Sequence, residues 1–526
     1  MLHFSALPDF YATKPEPMDQ LAVIDYVIIV VYMAGVLFIG SYFGKYVSST
    51  GDLFLAGRSL PFWAIGMSIV VSDIGALDMI GGAGGAYDRG IAQANFDWLG
   101  SVPALLLAAF IFVPYYWRAG VYTLPEFIGR RYNAAARWLL ASVLLLFMLL
   151  TLSILLWTSA VFLNTVLGWD HLVGIWVTAV IVGIYTVSGG LAAVVMTDVM
   201  QLVVMFVGTA ALLALGMYEV GGWSGLQAQL LAEQQVGEDY FRLLQPHEPG
   251  NDYPWPGMVF SLGIIMSTGY YVGNQAVMQR ALGARSEWDA KASMLAAGIF
   301  KLAIPFLVFL PGMAARAIAP DLENSEESIP FLINTLLPSG LKGLMFAAFF
   351  AALMSSVDSY LNSCVTIFTG DVFRPIYQKI RGTEVSGRLG LIVGRTMTAG
   401  MLMFAAFYAP RFSDSATLYD NVQTLLSLFQ GPTLAILLLG IFWRRATAWG
   451  GFAGLVVGCC LTFGLNRMGD SVFMSDDPYL YVAIWSFLFA FAATVIVSLL
   501  TPPESEEKLR GLVYGSVVDE PTEEAS

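Results

Sequence analysis

The chain has 526 residues, of which 57% are hydrophobic and only 12% are charged, and its mean hydropathy is +0.69. Soluble globular domains carry roughly 25% charged residues, so this composition excludes a soluble protein and predicts an integral membrane protein. The net charge of −13 comes from acidic residues gathered in polar segments, which is typical of a solvated surface and excludes nucleic acid as a partner. The three cysteines lie in apolar runs and the three histidines are scattered, so no metal-dependent or redox enzyme and no cofactor is expected.

The apolar stretches predict about thirteen transmembrane helices, because about 20 apolar residues are needed for one crossing. Two longer external segments, residues 218–255 and 318–340, are interpreted as caps or short surface helices. The predicted spans are residues 22–44, 61–86, 96–117, 134–166, 170–188, 191–217, 256–280, 292–317, 341–368, 388–409, 417–441, 448–467 and 479–500.

The basic residues predict the orientation of these spans. With the N-terminus outside, seventeen of the 26 Lys and Arg residues fall in cytoplasmic loops, Arg131 and Arg280 among them, and basic residues collect on that side. We therefore expect residues 1–21 outside the cell membrane and the polar residues 501–526 as a flexible cytoplasmic tail. No cleavable signal peptide is expected, so the first span itself directs the chain to the membrane.

Two of the predicted spans are interrupted near their middle, at corresponding places in the two halves of the chain. The interruptions are Ser-Asp-Ile-Gly at residues 72–75 and Ser-Thr-Gly-Tyr at residues 267–270. A helix in lipid can unwind only where its freed backbone groups face protein, water or a ligand, and paired breaks at mid-depth are typical of transporter binding sites. The pattern predicts a transporter.

The second span carries two acidic residues, Asp73 and Asp78, followed by a glycine-rich run at residues 81–85. A carboxylate at the centre of a bilayer costs at least ~2.5 kcal/mol, so it requires a cation, a partner or water. Asp73 beside the break therefore indicates a functional site. The glycines are interpreted first as a surface for close helix packing.

The ninth span has a stripe of hydroxyl side chains. Residues 352, 355, 356, 359 and 363 lie on one face of a helix, and all but Ala352 are serines. Such serines can return hydrogen bonds to the preceding turn, or their oxygens can replace the water around an alkali cation. Asp358 in the same stretch favours the cation site.

Three further charged residues fall within predicted spans. Asp198, in the sixth span, is interpreted equally well as the partner of an arginine near the inner surface or as an ion ligand. Lys301 and Arg395 are the basic counterparts, and for both the alternatives are snorkelling toward the inner face or a place within the span.

Five motifs in this order make the chain resemble the sodium/solute symporter family, most closely its sodium/sugar branch. They are FLAGRSLP at 54–61, GVYTLPEF at 120–127, GGLAAVVMTDV at 189–199, QRAL at 279–282 and SSVDSYLNS at 355–363. The resemblance covers roughly residues 20–500 and implies an all-α, leucine-transporter-type 5+5 inverted-repeat fold with broken helices. Its repeats would be residues 61–217 and 256–441, with an extra helix at 22–44 and accessory helices at 448–500.

The resemblance also implies where sodium binds. One ion would be held by backbone oxygens of Val71, Ile74 and Ala352 and by the hydroxyls of Ser355 and Ser356. A second, present in some members only, would use Ser355, Ser359 and Asp198. Asp358 stands where a hydroxyl residue is typical of that second site.

The same resemblance implies a solute site. Tyr270 matches the aromatic residue that closes the sugar site from the inside, and Lys301 matches a substrate-contacting lysine. Asp78, Asp97 and Ser267 replace other polar groups at sugar-contacting positions, and Gln423 matches a sugar-binding glutamine. Asp73 is added because of its place beside the break.

These residues together predict a sodium-coupled secondary active symporter that imports a small polyhydroxylated solute, a sugar, by alternating access. Its expected partners are Na⁺, the solute and the lipid bilayer. The alternatives are sodium-coupled uptake of an organic acid such as a sialic acid, a non-transporting solute sensor on the same fold, and a uniporter or channel.

Overall fold

The structure is a computed structural model that describes residues 21–45, 47, 49–232, 236–248, 251–413, 418–468, 473 and 478–516. Within these residues it contains helices and two isolated backbone bridges, with no β-strand. Residues 1–20 of the expected N-terminal segment and residues 517–526 of the expected tail lie outside the described part of the chain.

The first half of the chain forms ten α-helices. The last of them is a short helix in the external segment 218–255. They are α1 Val23–Gly44, α2 Thr50–Leu55, α3 Phe62–Asp73, α4 Ala83–Arg89, α5 Val102–Leu107, α6 Val113–Ala119, α7 Leu124–Arg131, α8 Ala134–Leu167, α9 His171–Glu219 and α10 Gly222–Ala232.

The second half forms twelve more, including a short helix in the external segment 318–340. They are α11 Ser267–Gly273, α12 Gln275–Leu282, α13 Glu287–Lys301, α14 Leu310–Ile318, α15 Ser328–Leu336, α16 Leu341–Ile367, α17 Arg374–Arg381, α18 Gly387–Tyr408, α19 Leu418–Phe442, α20 Ala448–Met468, α21 Tyr479–Leu500 and α22 Glu506–Leu509. Wider π-helical turns extend several helices, at Asp78–Gly82, Phe96–Ser101, Ala108–Phe112, Gly257–Met266, Pro305–Phe309 and Phe368–Phe373.

The described residues contain ten helices that are long and apolar enough to cross a membrane, or eleven if one bent pair counts as a span. Two shorter apolar helices, His171–Ile184 and Gly257–Gly273, lie where the fifth and seventh spans were predicted. The multi-pass, all-helical architecture is confirmed, and the number thirteen stays a prediction.

The predicted break in the second span is confirmed. Helix α3 ends at Asp73, and Ile74 has φ −91° and ψ 79°, outside the helical region. The helical segments on the two sides, Phe62–Asp73 and Asp78–Ala94, are bent by 63°. The chain therefore changes direction at Ile74 and Gly75. A lone helix surrounded by lipid could not unwind at such a place.

The predicted position of the second break, residues 267–270, is wrong. These residues are helical, and the chain leaves the helix at Asn274, with φ −90° and ψ 120°. The Asn274 side chain accepts a hydrogen bond from the Ala276 N–H at 2.9 Å, and asparagine is a favoured residue for starting a helix in this way. Gly269 serves close packing instead, since a Cβ there would lie 2.5 Å from the Gln430 carbonyl oxygen.

Helix α16 forms the centre of the bundle. Its most apolar stretch is 94% buried, and it packs against α1, α3, α8 and α9. Helix α9 bends at Gly190, whose φ of 60° and ψ of −178° suit glycine alone. The bend separates the predicted fifth and sixth spans and allows residues 190–219 to lie along α16 and α3.

The expectation of a flexible tail is wrong for residues 501–516, which pack on the helices that precede them. The Lys508 ammonium donates to the Tyr132 carbonyl at 2.6 Å, and the Ala448 N–H donates to the Glu504 carboxylate at 2.7 Å. Val513 is buried. The polar composition misled because two charged groups of this segment, Glu504 and Lys508, bond to backbone groups at helix ends.

Helix α1 is joined to the start of α16 by Asp25. This buried carboxylate accepts hydrogen bonds from the Gly340 and Gly343 N–H groups, both at 2.7 Å. We predict that Asp25→Ala lowers the free energy of unfolding by about 1–3 kcal/mol, because two buried donors lose their acceptor. The loss is measured by unfolding the purified protein in mixed micelles. Asp25→Asn keeps an acceptor oxygen and serves as control, so equal losses from both variants would contradict the assignment.

Candidate functional site

A central cavity lies where α3, α11, α13, α16 and α19 converge. It measures about 810 Å³, counted with the open space at its mouth. All seven residues predicted for the solute lie on its wall, namely Asp73, Asp78, Asp97, Ser267, Tyr270, Lys301 and Gln423. The structure brings these residues together, and their role in binding stays a prediction.

Lys301, at the end of α13, lies between two carboxylates. It is only 4% exposed, and its ammonium pairs with Asp73 and, at 2.8 Å, with Asp97 Oδ1. The Tyr271 hydroxyl donates a hydrogen bond of 2.6 Å to Asp73. Of the two alternatives for Lys301, snorkelling is therefore excluded. A buried charge requires partners of this kind, because desolvation costs several kcal/mol per ion.

Asp78 has a different environment from the other two acids. It begins the π-helical turn Asp78–Gly82, and the Gly75 N–H at the break donates to its Oδ2 at 3.2 Å. No Lys, Arg or His of the described chain lies within ion-pair distance of it. Asp97 likewise lies in a π-helical turn, Phe96–Ser101, and such turns are frequent at functional sites.

Several residues of the cavity wall were missed by the sequence analysis. Thr151 and Gln430 are each only 2% exposed, and the Thr151 hydroxyl and the Gln430 side-chain oxygen have no hydrogen-bond partner among the described residues. Tyr360 and Tyr419 supply aromatic surface. The available signal was the presence of single polar residues within apolar spans, as for Thr151 in α8.

The break in α3 lies directly against the serine stripe of α16. The hydroxyls of Ser72 and Ser355 are 2.8 Å apart, and the Ser356 hydroxyl is 3.0 Å from the Ser72 carbonyl and 3.1 Å from the Ala352 carbonyl. Val71, Ile74 and both serines of α16 are buried. The oxygens predicted for the first sodium therefore belong to two segments in contact.

Arg280 was expected in a cytoplasmic loop, and this expectation is wrong. It is 1% exposed, and its guanidinium bonds to Asp198 at 3.1 Å, to Ser72 at 2.7 Å and to Ser68 at 2.6 Å, and contacts Ser359. For Asp198 the sequence left two alternatives, pairing with an arginine or coordination of an ion. The structure shows the pairing with an arginine. The QRAL motif contained the signal that could have placed Arg280 correctly. A buried arginine needs hydrogen-bond acceptors, and the assignment of Arg280 to a loop offered none.

Tyr270 separates the central cavity from a smaller one. The smaller cavity is lined by Ser359 and Arg280, and both cavities share Ser72, Asp73, Tyr270 and Tyr360. The Tyr270 ring therefore forms part of the wall between the site of the seven residues and the region of Arg280.

The chain matches a family model and several known proteins. The model, described as the sodium:solute symporter family, matches residues 53–458. Sodium/glucose cotransporter 1 of Oryctolagus cuniculus is 32% identical, with 93% of this chain and 81% of that protein covered. The sodium/myo-inositol cotransporter of Canis lupus familiaris is 33% identical, with 94% and 75% covered.

Two solved structures have a similar fold. A Na⁺-coupled sialic acid symporter, in a substrate-bound outward-open state, superposes with a TM-score of 0.81 at 22% identity, covering 92% of this chain and all of that one. Mhp1, a nucleobase-cation-symport-1 family transporter, gives 0.50 at 14% identity, covering 87% and 97%. These similarities confirm the predicted fold class.

The Arg280–Asp198 pair provides a stability prediction. We predict that Arg280→Gln lowers the free energy of unfolding by about 3–5 kcal/mol, because Asp198 is left charged and buried without its partner. Unfolding in mixed micelles measures the loss for this variant, for Asp198→Asn and for the double variant. The double variant should lose less than the two single losses added together, and strictly additive losses would show that the pair is not coupled.

Proposed function

The chain belongs to the sodium:solute symporter family, and from this premise we propose that it is a sodium-coupled secondary active symporter. It imports a small polyhydroxylated solute of the sugar class by alternating access. The observation that carries the proposal is the contact between the broken α3 and the serines of α16, directly beside a cavity lined by hydrogen-bonding and aromatic side chains. Sugars are recognised by such directional hydrogen bonds together with apolar ring faces.

Sodium binds at the seam between α3 and α16 in this proposal. The ligands are the backbone oxygens of Val71, Ile74 and Ala352 and the hydroxyls of Ser355 and Ser356. Oxygens of this kind suit a hard cation, and carbonyls of an unwound helix coordinate the coupling ion in transporters with broken helices. Their burial supports the proposal, because a dehydrated ion needs protein oxygens in place of water.

One sodium ion per cycle is the stoichiometry we favour. Asp198 Oδ2 and the Ser359 hydroxyl, implied for a second ion, already accept hydrogen bonds from Arg280. The guanidinium thus supplies a fixed positive charge at that place. One ion gains about 2.3 kcal/mol across ~100 mV and about 1.4 kcal/mol from a tenfold gradient, which together support several-hundred-fold accumulation.

The cavity favours a sugar-like solute over a carboxylated one. Its wall carries Asp73, Asp78 and Asp97 against Lys301 alone, so an anion would be repelled. The relatives named for glucose and for myo-inositol agree with a polyhydroxylated solute. In the proposal the protein lies in the cell membrane with its N-terminus outside and its C-terminus in the cytoplasm. A sensor is the less favoured function, since the two contacting segments provide a coupling site that sensing does not need.

Ser355→Ala and Ser356→Ala should abolish sodium-dependent uptake in proteoliposomes. Each variant removes a hydroxyl ligand, so we expect sodium affinity to fall about tenfold or more, as at metal sites that lose even an outer-shell partner. Counterflow with radiolabelled sugars and polyols measures uptake, and calorimetric titration measures sodium binding.

The matched control is Ser363→Ala. Ser363 lies on the same face of α16, but its hydroxyl bonds to Gln279, so sodium dependence should persist in this variant. Unchanged sodium stimulation in Ser355→Ala and Ser356→Ala would reject the assigned site.

Tyr270→Ala should change solute affinity or the rate of solute exchange without removing sodium binding. The ring separates the two cavities but contributes no oxygen to the proposed sodium ligands. Solute affinity, exchange rate and sodium affinity are measured on one preparation. An unaltered solute profile would contradict the role of Tyr270 as the inner wall of the site.

A further inference from the structure

The central cavity carries an excess of negative charge. Its described lining contains three carboxylates, Asp73, Asp78 and Asp97, and one basic side chain, Lys301. With all four groups ionised, the formal charge of this lining is −2. One sodium ion at the neighbouring seam would still leave −1. A solute that enters this site meets three carboxyl groups and one ammonium that are buried or partly buried, and such charges are weakly screened.

The excess charge can be assigned to Asp78. The ammonium of Lys301 is shared by Asp73 and Asp97, and Asp73 also receives the Tyr271 hydroxyl. Asp78 receives one backbone N–H, from Gly75 at 3.2 Å. A carboxylate within a membrane span requires a cation or another compensating partner, and the described chain places no basic side chain within ion-pair distance of this one.

The same wall holds two polar groups that lack a partner. The Gln430 side-chain oxygen and the Thr151 hydroxyl are buried without a hydrogen bond among the described residues. A buried polar atom without a bond costs about 1–3 kcal/mol, so both groups indicate a ligand with donors. The rings of Tyr270 and Tyr419 on this wall suit both the apolar face of a sugar and an ammonium group.

We propose, resting on the symport function above, that the solute is a polyhydroxylated amine, an amino sugar or amino polyol, whose protonated nitrogen pairs with Asp78. Its hydroxyl groups bond to the Thr151 and Gln430 side chains. A neutral sugar leaves the Asp78 charge uncompensated, and an acidic sugar adds to it. Selectivity for a cationic solute then arises from one carboxylate that has no basic side chain of the described residues within ion-pair distance.

Matched solutes test the charge preference. The full-length protein in sodium-containing proteoliposomes is titrated with glucosamine, glucose, N-acetylglucosamine and glucuronate, and with N-methylglucamine and sorbitol, and affinity is read from the shift in melting temperature. We expect each amine to bind about thirtyfold more tightly than its neutral counterpart, or tighter still. This factor is the contribution of one buried charge pair to the affinity. Asp78→Asn should remove this preference, so that each amine and its neutral counterpart bind with similar affinity. Asp78→Glu should retain the preference.

A preference for the neutral or anionic solutes would overturn the proposal, as would an amine preference that survives Asp78→Asn. Proton-coupled uptake of a neutral sugar would also overturn the proposal if Asp78→Asn abolished it. The Asp78 carboxyl would then serve as a proton site. Sodium-driven uptake distinguishes the two proposals. If a neutral sugar is taken up on a sodium gradient in preference to its amine counterpart, the symport function stands and the amine assignment fails; if no solute responds to sodium, the symport function fails as well.

Discussion

The structure depends on one constraint, which is that backbone groups freed inside a membrane must be satisfied by the protein or its ligands. At the break of α3, the Ser72 carbonyl accepts from Ser356 and the Gly75 N–H donates to Asp78. Both partners are side chains of the site itself. The break is therefore stabilised by contacts with α16 and with the acidic wall of the cavity. The position of the unwound segment thus depends on the side chains of the site.

Buried charge follows the same logic. Lys301 and Arg280 each occupy a place where a lone cation would be prohibitive, and each is surrounded by acceptors from several helices. Because these acceptors come from distant parts of the sequence, the two basic residues position α3, α9, α12 and α13 relative to one another. Charge in this protein is thus an organising element of the fold as well as of the site.

The sequence predicted the helices, the first break and the residues that line the cavity, because apolar length, the 72–75 interruption and the motifs are local signals. It placed the second break four residues too early. There the decisive fact was the Asn274 side chain bonding to the next helix, and glycine at 269 served packing instead. Arg280 was misplaced because it lies at the end of a predicted span, where counting charges along the chain assigns an arginine to the adjoining loop. Thr151 and Gln430 were missed because their lack of a partner is visible only in three dimensions.

The triad of Lys301, Asp73 and Asp97 has a mechanical consequence. It ties α13 to α3 through Asp73 and to the Phe96–Ser101 turn through Asp97, while Tyr271 adds α11. Separating these segments would leave a buried charge unpaired, so the ion pairs hold them together. Between α3 and α16 lie neutral hydroxyl contacts such as Ser72 with Ser355, which contribute only about 0.5–1.5 kcal/mol each, and the Arg280 guanidinium, which bonds to Ser72 of α3 and to Ser359 of α16. A relative displacement of α3 and α16 would break these contacts at the seam where sodium is proposed to bind, so in the proposed cycle that displacement would also open the ion's coordination shell.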